Sequence, residues 1–162
     1  MAELPFDFTQ KLLSKSELVG DNLNVELNTS DYVIVSYMTY DPGFNGRIRT
    51  LDLALDILTK ADDTCSDGSD YIVYAKEVSE SSWNTLFSGE ISAATIADVE
   101  TDTSWDYKSN ISQKNYNLSS GEVAALANVP LEFKITAKTS EVTDTVVARN
   151  PSLTVKVTGH TI

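Results

Sequence analysis

Hydrophobic and polar residues alternate with a period of two over much of this chain. Between positions 47 and 60, the apolar residues Leu51, Leu53, Leu55 and Ile57 occupy every second position. This period is typical of a β-strand with one buried and one solvated face. The same alternation, or a run of β-branched and aromatic residues, predicts further strands at 23–28, 32–40, 70–77, 83–87, 104–108, 131–139, 144–148 and 152–158.

Turn residues separate these segments. The stretch 61–70 contains an Asp-Gly pair, which suits a turn with positive φ. We therefore expect the strands at 47–60 and 70–77 to form a hairpin. Helical patterns are scarce: Ser119 and Glu122 have the spacing of a capping box and favour a helix at 120–128, and weaker helical patterns lie at 9–19 and 93–99.

Many short strands with turn signals between them predict an all-β fold, an antiparallel two-sheet sandwich with one or two short helices. A jelly roll is the leading topology, and an up-and-down barrel is the alternative. No repeat or linker divides the 162 residues, so we expect an N-terminal arm at 1–22 and a single β-sandwich domain at 23–162. The arm either folds back onto the sandwich or docks on a neighbouring molecule.

Charge excludes one class of partner. The chain carries 24 acidic and 12 basic residues, a net charge of −12, and would be repelled by nucleic-acid phosphates. Residues 61–106 hold eleven acidic residues and one basic residue, whereas 107–162 hold four acidic and six basic ones. Either the acidic segment is solvated surface that keeps the protein soluble, or it faces solvent while a near-neutral part meets a partner.

The residues offer little for catalysis. His160 is the only histidine and lies near the C-terminus, Cys65 is the only cysteine, and no phosphate-binding glycine motif occurs. We therefore expect no enzymatic activity, no cofactor and no resident metal. A weak calcium alternative rests on Asp63, Asp67 and Asp70, whose loop lacks the EF-hand spacing. No segment resembles a signal peptide or a membrane-spanning helix, so we expect neither export nor a membrane partner.

Surface recognition is the remaining type of function. Arg47 and Arg49, two of only three arginines, fall two apart on one strand and are expected on one face, where arginine favours interfaces. Phe6 and Phe8 in the arm are the second pair of expected interface residues. In an alternative interpretation, aromatic residues form a platform for sugar on one face of the sandwich. The residues of that platform would be Trp83, Trp105 and Tyr107.

Taken together, an acidic, Ser/Thr/Asn-rich β-sandwich with an N-terminal arm and a closing strand at 151–159 resembles a known group of proteins. These are the jelly-roll accessory proteins of tailed-bacteriophage particles, the decoration (cement) and head-fibre proteins. The resemblance implies a non-enzymatic virion protein on the outer capsid surface, often a homo-oligomer, whose partner is the major capsid protein. The alternatives are a carbohydrate- or host-surface-binding module and a structural subunit of the tail or neck.

Overall fold

The fold is all-β. The structure, a computed structural model, describes residues 5–13, 25–41, 46–60, 68–91, 106–117, 130–140, 142 and 145–160. The strands within these residues are β1 (Pro5–Leu13), β2 (Val25–Glu26), β3 (Val33–Tyr40), β4 (Gly46–Lys60), β5 (Ser69–Glu77), β6 (Asn84–Ile91), β7 (Asp106–Asn117), β8 (Leu131–Thr139) and β9 (Thr145–His160).

Two antiparallel sheets form the sandwich. The first sheet has the order β1-β9-β4-β7, with the short β2 also paired to β9, and the second has the order β3-β8-β5-β6. If the short β2 is left out, eight long strands remain, and they can be counted from 1 to 8 along the chain. In this count, strands 1, 8, 3 and 6 lie side by side in one sheet, and strands 2, 7, 4 and 5 lie side by side in the other. This is the strand order of a jelly roll, built from two Greek keys. The jelly-roll prediction is confirmed, and the up-and-down barrel is wrong.

The core lies between the two sheets and is filled by the apolar positions of the alternating pattern. Leu51, Leu53, Leu55 and Ile57 of β4 are all fully buried, as the period of two predicts. The second sheet contributes side chains from each of its four strands. The larger of these are Val35, Met38, Tyr40, Tyr71, Val73, Phe87, Leu131, Phe133 and Ile135.

The hairpin predicted between the strands at 47–60 and 70–77 is wrong. β4 pairs with β7 and β9 in the first sheet, whereas β5 pairs with β6 and β8 in the second. The chain therefore crosses from one sheet to the other between β4 and β5. Turn residues such as Asp-Gly mark a change of direction, but they do not determine whether the next strand pairs with the previous one or crosses the sandwich.

The two C-terminal segments predicted at 144–148 and 152–158 form one long strand. β9 is continuous but contains a β-bulge at Asn150, which has a φ of 51°. At this bulge the register between β9 and β4 shifts, between Ala54 and Asp56 of β4. Asparagine tolerates this left-handed conformation better than most residues. The bulge divides β9 into a part that pairs with β2 and a part that pairs with β1.

Residues 5–13 of the N-terminal arm fold back onto their own sandwich. β1 pairs with β9 along nine residues at the edge of the first sheet. The weak helix predicted at 9–19 is therefore wrong for Thr9 to Leu13, which are strand residues paired with β9. The helices predicted at 93–99 and 120–128 lie outside the described residues. The part of the chain that the structure describes contains no helix.

Candidate functional site

The solvent side of the second sheet concentrates aromatic and basic side chains. On β8, Glu132, Lys134 and Lys138 are half-buried and alternate with the core positions, whereas Thr136, on the same side by register, is buried. Lys134 lies between Tyr37 of β3 and Tyr74 of β5 in the register of the sheet. These rows place lysines and rings from three strands side by side on one surface.

Lys134 is surrounded by aromatic rings. Its ammonium lies 4.5 Å from the centre of the Tyr74 ring and 4.7 Å from that of Trp83. Trp83 also contacts Tyr37, with ring centres 5.9 Å apart, and the ammonium of Lys76 lies 5.2 Å from its centre. These are distances at which a cation is attracted to the face of a ring. We call these five residues, Tyr37, Tyr74, Lys76, Trp83 and Lys134, the lysine–aromatic cluster.

The turn between β5 and β6 places Trp83 in the cluster. Trp83 immediately precedes β6, an edge strand, yet its ring reaches Tyr37 on β3 at the opposite edge of the sheet. The turn is held by a hydrogen bond from the Glu80 N–H to the Glu77 carbonyl (3.0 Å). The Lys76 ammonium donates to the Glu80 carbonyl (2.8 Å) and so ties the turn to the sheet.

The two lysines of the cluster differ in their electrostatic environment. Lys76 forms an ion pair with Glu132, with Nζ and Oε2 3.0 Å apart, and its side chain is only 14% exposed. Lys134 has no carboxylate within ion-pair distance among the described residues, and burial lowers its pKa from the ordinary value of 10.5. The cluster therefore contains one neutralised ammonium and one whose charge is balanced only by ring faces.

A second lysine–ring pair lies further along the same surface. The ammonium of Lys138 is 5.1 Å from the centre of the Tyr32 ring, and Lys138 lies opposite Asp70 in the register. Burial, and then the charge of Asp70, raise the pKa of Tyr32. Ile34, 47% exposed, lies between this pair and the cluster and opposite Thr136. Apolar and aromatic surface therefore continues across the sheet.

In the described part of the second sheet, residues of the acidic segment lie beside residues of the near-neutral part. β5 and β6 come from the acidic segment, whereas β8 comes from the near-neutral part that follows it. In the second sheet these strands are neighbours, so Lys138 lies opposite Asp70 and Lys76 pairs with Glu132. Charge that is segregated along the sequence is interleaved in this sheet. Because 61–67 and 92–105 lie outside the described residues, the expectation that the acidic segment faces solvent while a near-neutral part meets a partner stays a prediction.

The four predicted interface residues lie in the first sheet. Phe6 and Phe8 of β1 are opposite Gly159 and Val157 of β9, and Arg47 of β4 is opposite Thr158. Arg47 thus occupies the row between those of the two phenylalanines, and successive rows face opposite sides of a sheet. The register brings these residues to one end of the sheet but does not put the arginine in the same rows as the phenylalanines.

Arg49 coincides with an irregularity. The register between β4 and β9 shifts between Ile48 and Thr50, at the position of Arg49. The expectation that Arg47 and Arg49 share a face assumes uninterrupted alternation, which a bulge breaks. That expectation stays a prediction.

The predicted sugar platform is not assembled from one sheet. Trp83 immediately precedes β6 of the second sheet, whereas Tyr107 lies in β7 at the edge of the first, paired with Leu58. Trp105 lies outside the described residues. The aromatic neighbours of Trp83 in the cluster are Tyr37 and Tyr74. Alternation along β3 and β5 was a signal that could have placed Tyr37 and Tyr74 on the solvated faces of their strands. The register that brings them together was not predictable from either strand alone.

The possible calcium loop is described only at its end. Asp63 and Asp67 lie outside the described residues, and Asp70 belongs to β5, between Lys138 and Glu90 in the register. No group of three or more metal-binding side chains occurs in the part of the chain that the structure describes. In that same part, no helix has the length and apolar character needed to cross a membrane.

Comparison with solved structures shows a weak similarity to a viral capsid protein. No family model and no curated protein sequence matches the chain. Among solved structures, the chain is similar to the crystal structure of the infectious bursal disease virus VP2 subviral particle, with 12% identity and a TM-score of 0.40. The similarity covers 96% of this chain and 33% of the VP2 chain, so this chain spans about one third of that protein's length. Function therefore has to be inferred from the molecule's own surfaces.

Proposed function

We propose that this chain is a non-enzymatic structural protein of a virus particle, a decoration (cement) protein that binds the outer capsid surface and stabilises the shell. The jelly-roll order of its eight long strands is the observation that carries the proposal, because capsid domains commonly use this architecture. Lectin domains use it too, and a fold does not by itself determine a function. The surface of the first sheet supplies the second argument.

The solvent side of the first sheet carries basic residues near the end where β1, β9 and β4 meet. Lys11 and Lys156 are both exposed. The row of Arg47 lies two residues from that of Lys156 along β9, on the same side of the sheet. Asp7 shares the row of Arg47 and Asp52 shares the row of Lys11, so these rows hold three basic and two acidic residues. A protein with a net charge of −12 repels most acidic surfaces, so a side without that excess of acid is the one best suited to meet a large partner. We infer that this side docks on the major capsid protein.

Docking of many copies would stabilise the shell by a simple mechanism. Each copy buries surface across a junction between capsid subunits, so outward pressure from the packaged genome has to break those contacts as well. Because the copies act together, individual contacts can be weak. Assembly of the chain into a homo-oligomer on the shell would strengthen this effect. The molecular mass of the protein released from particles gives its oligomeric state.

Particles that lack the protein test the function. We expect them to release their genome at a lower temperature, and after milder osmotic shock, than complete particles or particles to which purified protein has been added back. If deficient and complete particles are equally resistant, the cement function is wrong. Imaging labelled protein on the particle distinguishes the shell from the tail or neck, and a tail or neck location overturns the capsid assignment.

A matched pair of charge reversals tests the docking side. Lys156→Glu changes the first sheet and Lys138→Glu the second, and each changes the net charge equally. We expect Lys156→Glu to weaken particle binding by about tenfold, the effect of losing about 1.4 kcal/mol at an interface. Lys138→Glu should bind like the unmodified protein. The reverse order of effects would show that the other side docks.

A further inference from the structure

We propose that the lysine–aromatic cluster is a binding site for a saccharide that carries a carboxylate, such as a hexuronic acid or a nonulosonic acid residue of a glycan. The cluster lies on the second sheet, whereas docking on the shell is proposed for the solvent side of the first. The two sides of a sandwich face in opposite directions. The site therefore goes beyond the proposed function, and a docked copy could use it.

Lys134 supplies the charge that such a ligand needs. Its ammonium is held between Tyr74 and Trp83 at 4.5 and 4.7 Å from the ring centres. No carboxylate of the described residues neutralises it, unlike that of Lys76, which is paired with Glu132. An ammonium fixed by rings and partly removed from water attracts an anion more strongly than a fully solvated one. The cluster offers one carboxylate a preorganised partner.

The rings supply the surface for the body of the sugar. Tyr37 and Tyr74 come from β3 and β5, and Trp83 comes from the turn before β6. The ring centres of Trp83 and Tyr37 are 5.9 Å apart. The C–H bonds on one side of a pyranose ring form an apolar patch with slight positive charge, and they pack on the negative face of an aromatic ring. All three aromatic residues are only partly buried, so ring surface is accessible to a ligand.

Neighbouring charges select the class of ligand. Glu132 lies beside Lys134 on β8, and Asp70 faces Lys138 further along the surface. These carboxylates repel a phosphate dianion or a run of acidic side chains, which would bring several negative charges to one free ammonium. A glycan with one carboxylate per sugar ring, surrounded by neutral hydroxyl groups, avoids that repulsion. We therefore favour an acidic saccharide over an acidic protein segment.

Titration of the full chain with simple sugars tests the site. Trp105→Phe leaves Trp83 as the single tryptophan, so its fluorescence reports on the cluster. We expect sodium glucuronate or N-acetylneuraminate to change this fluorescence with a Kd on the order of 1 mM, as for a small ligand on an open surface. Glucose, which lacks the carboxylate, and acetate, which lacks the ring, should each bind at least about tenfold more weakly.

Variants identify the residues responsible. Lys134→Met keeps the length of the side chain but removes its charge, and should weaken glucuronate binding about tenfold or more, whereas Lys11→Met on the first sheet should leave it unchanged. Amide NMR spectra establish that both variants are folded and follow the same titration without a fluorescent reporter. Trp83→Phe keeps an aromatic ring at this position but makes it smaller. In an NMR titration, this variant should bind glucuronate more weakly than the unmodified protein does.

Several results would overturn the proposal. One is that neither acidic sugar binds, and another is that glucose binds as well as glucuronate. Equal affinity of Lys134→Met and the unmodified protein would also exclude the site. Tight binding of a hexaglutamate peptide, in the absence of saccharide binding, would assign this surface to a protein partner instead. None of these results depends on whether the chain docks on a capsid.

Discussion

Gly89 of β6 should be intolerant of any side chain, although it lies in an edge strand. In the register of the second sheet Gly89 is opposite Tyr71 of β5, whose ring fills the space above the glycine. A Cβ at position 89 would lie 2.5 Å from Cζ and 2.9 Å from Cε1 of this ring, and would also overlap its hydroxyl oxygen. The perturbation is the smallest available one, Gly89→Ala.

The size of the effect follows from the surroundings of the ring. Tyr71 is 2% exposed and belongs to the core, so its ring cannot swing into solvent to make room. Forcing an extra methyl group into a packed core costs about 1–3 kcal/mol. Replacing glycine with alanine inside a strand returns about 0.5–1 kcal/mol through lower chain entropy. The difference between these ranges is a net loss of about 0–2.5 kcal/mol in the free energy of unfolding.

A double-mutant cycle measures this interaction. Tyr71→Leu removes the three atoms that the new methyl group would meet, and its own cost is subtracted in the cycle. In that background Gly89→Ala should become neutral or stabilising by up to about 1 kcal/mol. Urea unfolding, followed by tryptophan fluorescence, gives the four free energies. Ser88→Ala, at the exposed neighbouring position, is the matched control and should have little effect.

An equal cost of Gly89→Ala in both backgrounds would refute the reasoning. It would mean that the alanine acts through the strand itself and not through the ring of Tyr71. It would also contradict the register between β5 and β6, because a shift by one residue would place another position opposite Tyr71.

Two further predictions concern the core phenol and the N-terminal strand. Tyr40 is buried, its hydroxyl has no hydrogen-bond partner among the described residues, and burial, followed by the charge of Asp41, raises its pKa to about 12. Since the unfolded phenol titrates near 10.0, stability should be complete below that pH and fall as the pH rises towards 12. Tyr40→Phe should reduce this alkaline loss, measured by unfolding at several pH values, and an unchanged pH profile would contradict the assignment. Deleting residues 1–13 should expose the edge of β9 and raise the apparent mass in light scattering; a peptide spanning Pro5–Leu13 should reverse the change, and an unaltered mass would contradict the role of β1.

The strands were the most predictable part of the fold. The strand at 131–139 was predicted with the bounds that β8 has, and the alternating leucines of β4 are buried as expected. Alternation is a local property, because a strand with one buried face needs an apolar residue at every second position whatever its partner is. The failures came from strand pairing between segments that are distant in sequence. The pattern at 9–19 suited a helix, but pairing of β1 with β9 outweighed that weak preference.

The candidate site was predictable only in part. Trp83 was recognised as a possible sugar contact, yet Lys134 was not, although the alternation along β8 places it on the polar side. Its importance comes from Tyr74 and Trp83, which are distant in sequence and become its neighbours only because β8 lies beside β5 and the turn before β6 folds back over the sheet. Side-chain contacts of this kind depend on strand order and register.

By itself, the sequence determined that the protein is an antiparallel β-sandwich, which positions of its strands are apolar, and that its net charge is strongly negative. These properties depend on composition and on residues a few positions apart. The tertiary structure alone decided that β4 and β5 belong to different sheets and that Lys138 of β8 lies opposite Asp70 of β5. The physical reason is that a strand satisfies its backbone hydrogen bonds with almost any partner. Burial of all the apolar faces together selects which partner it has.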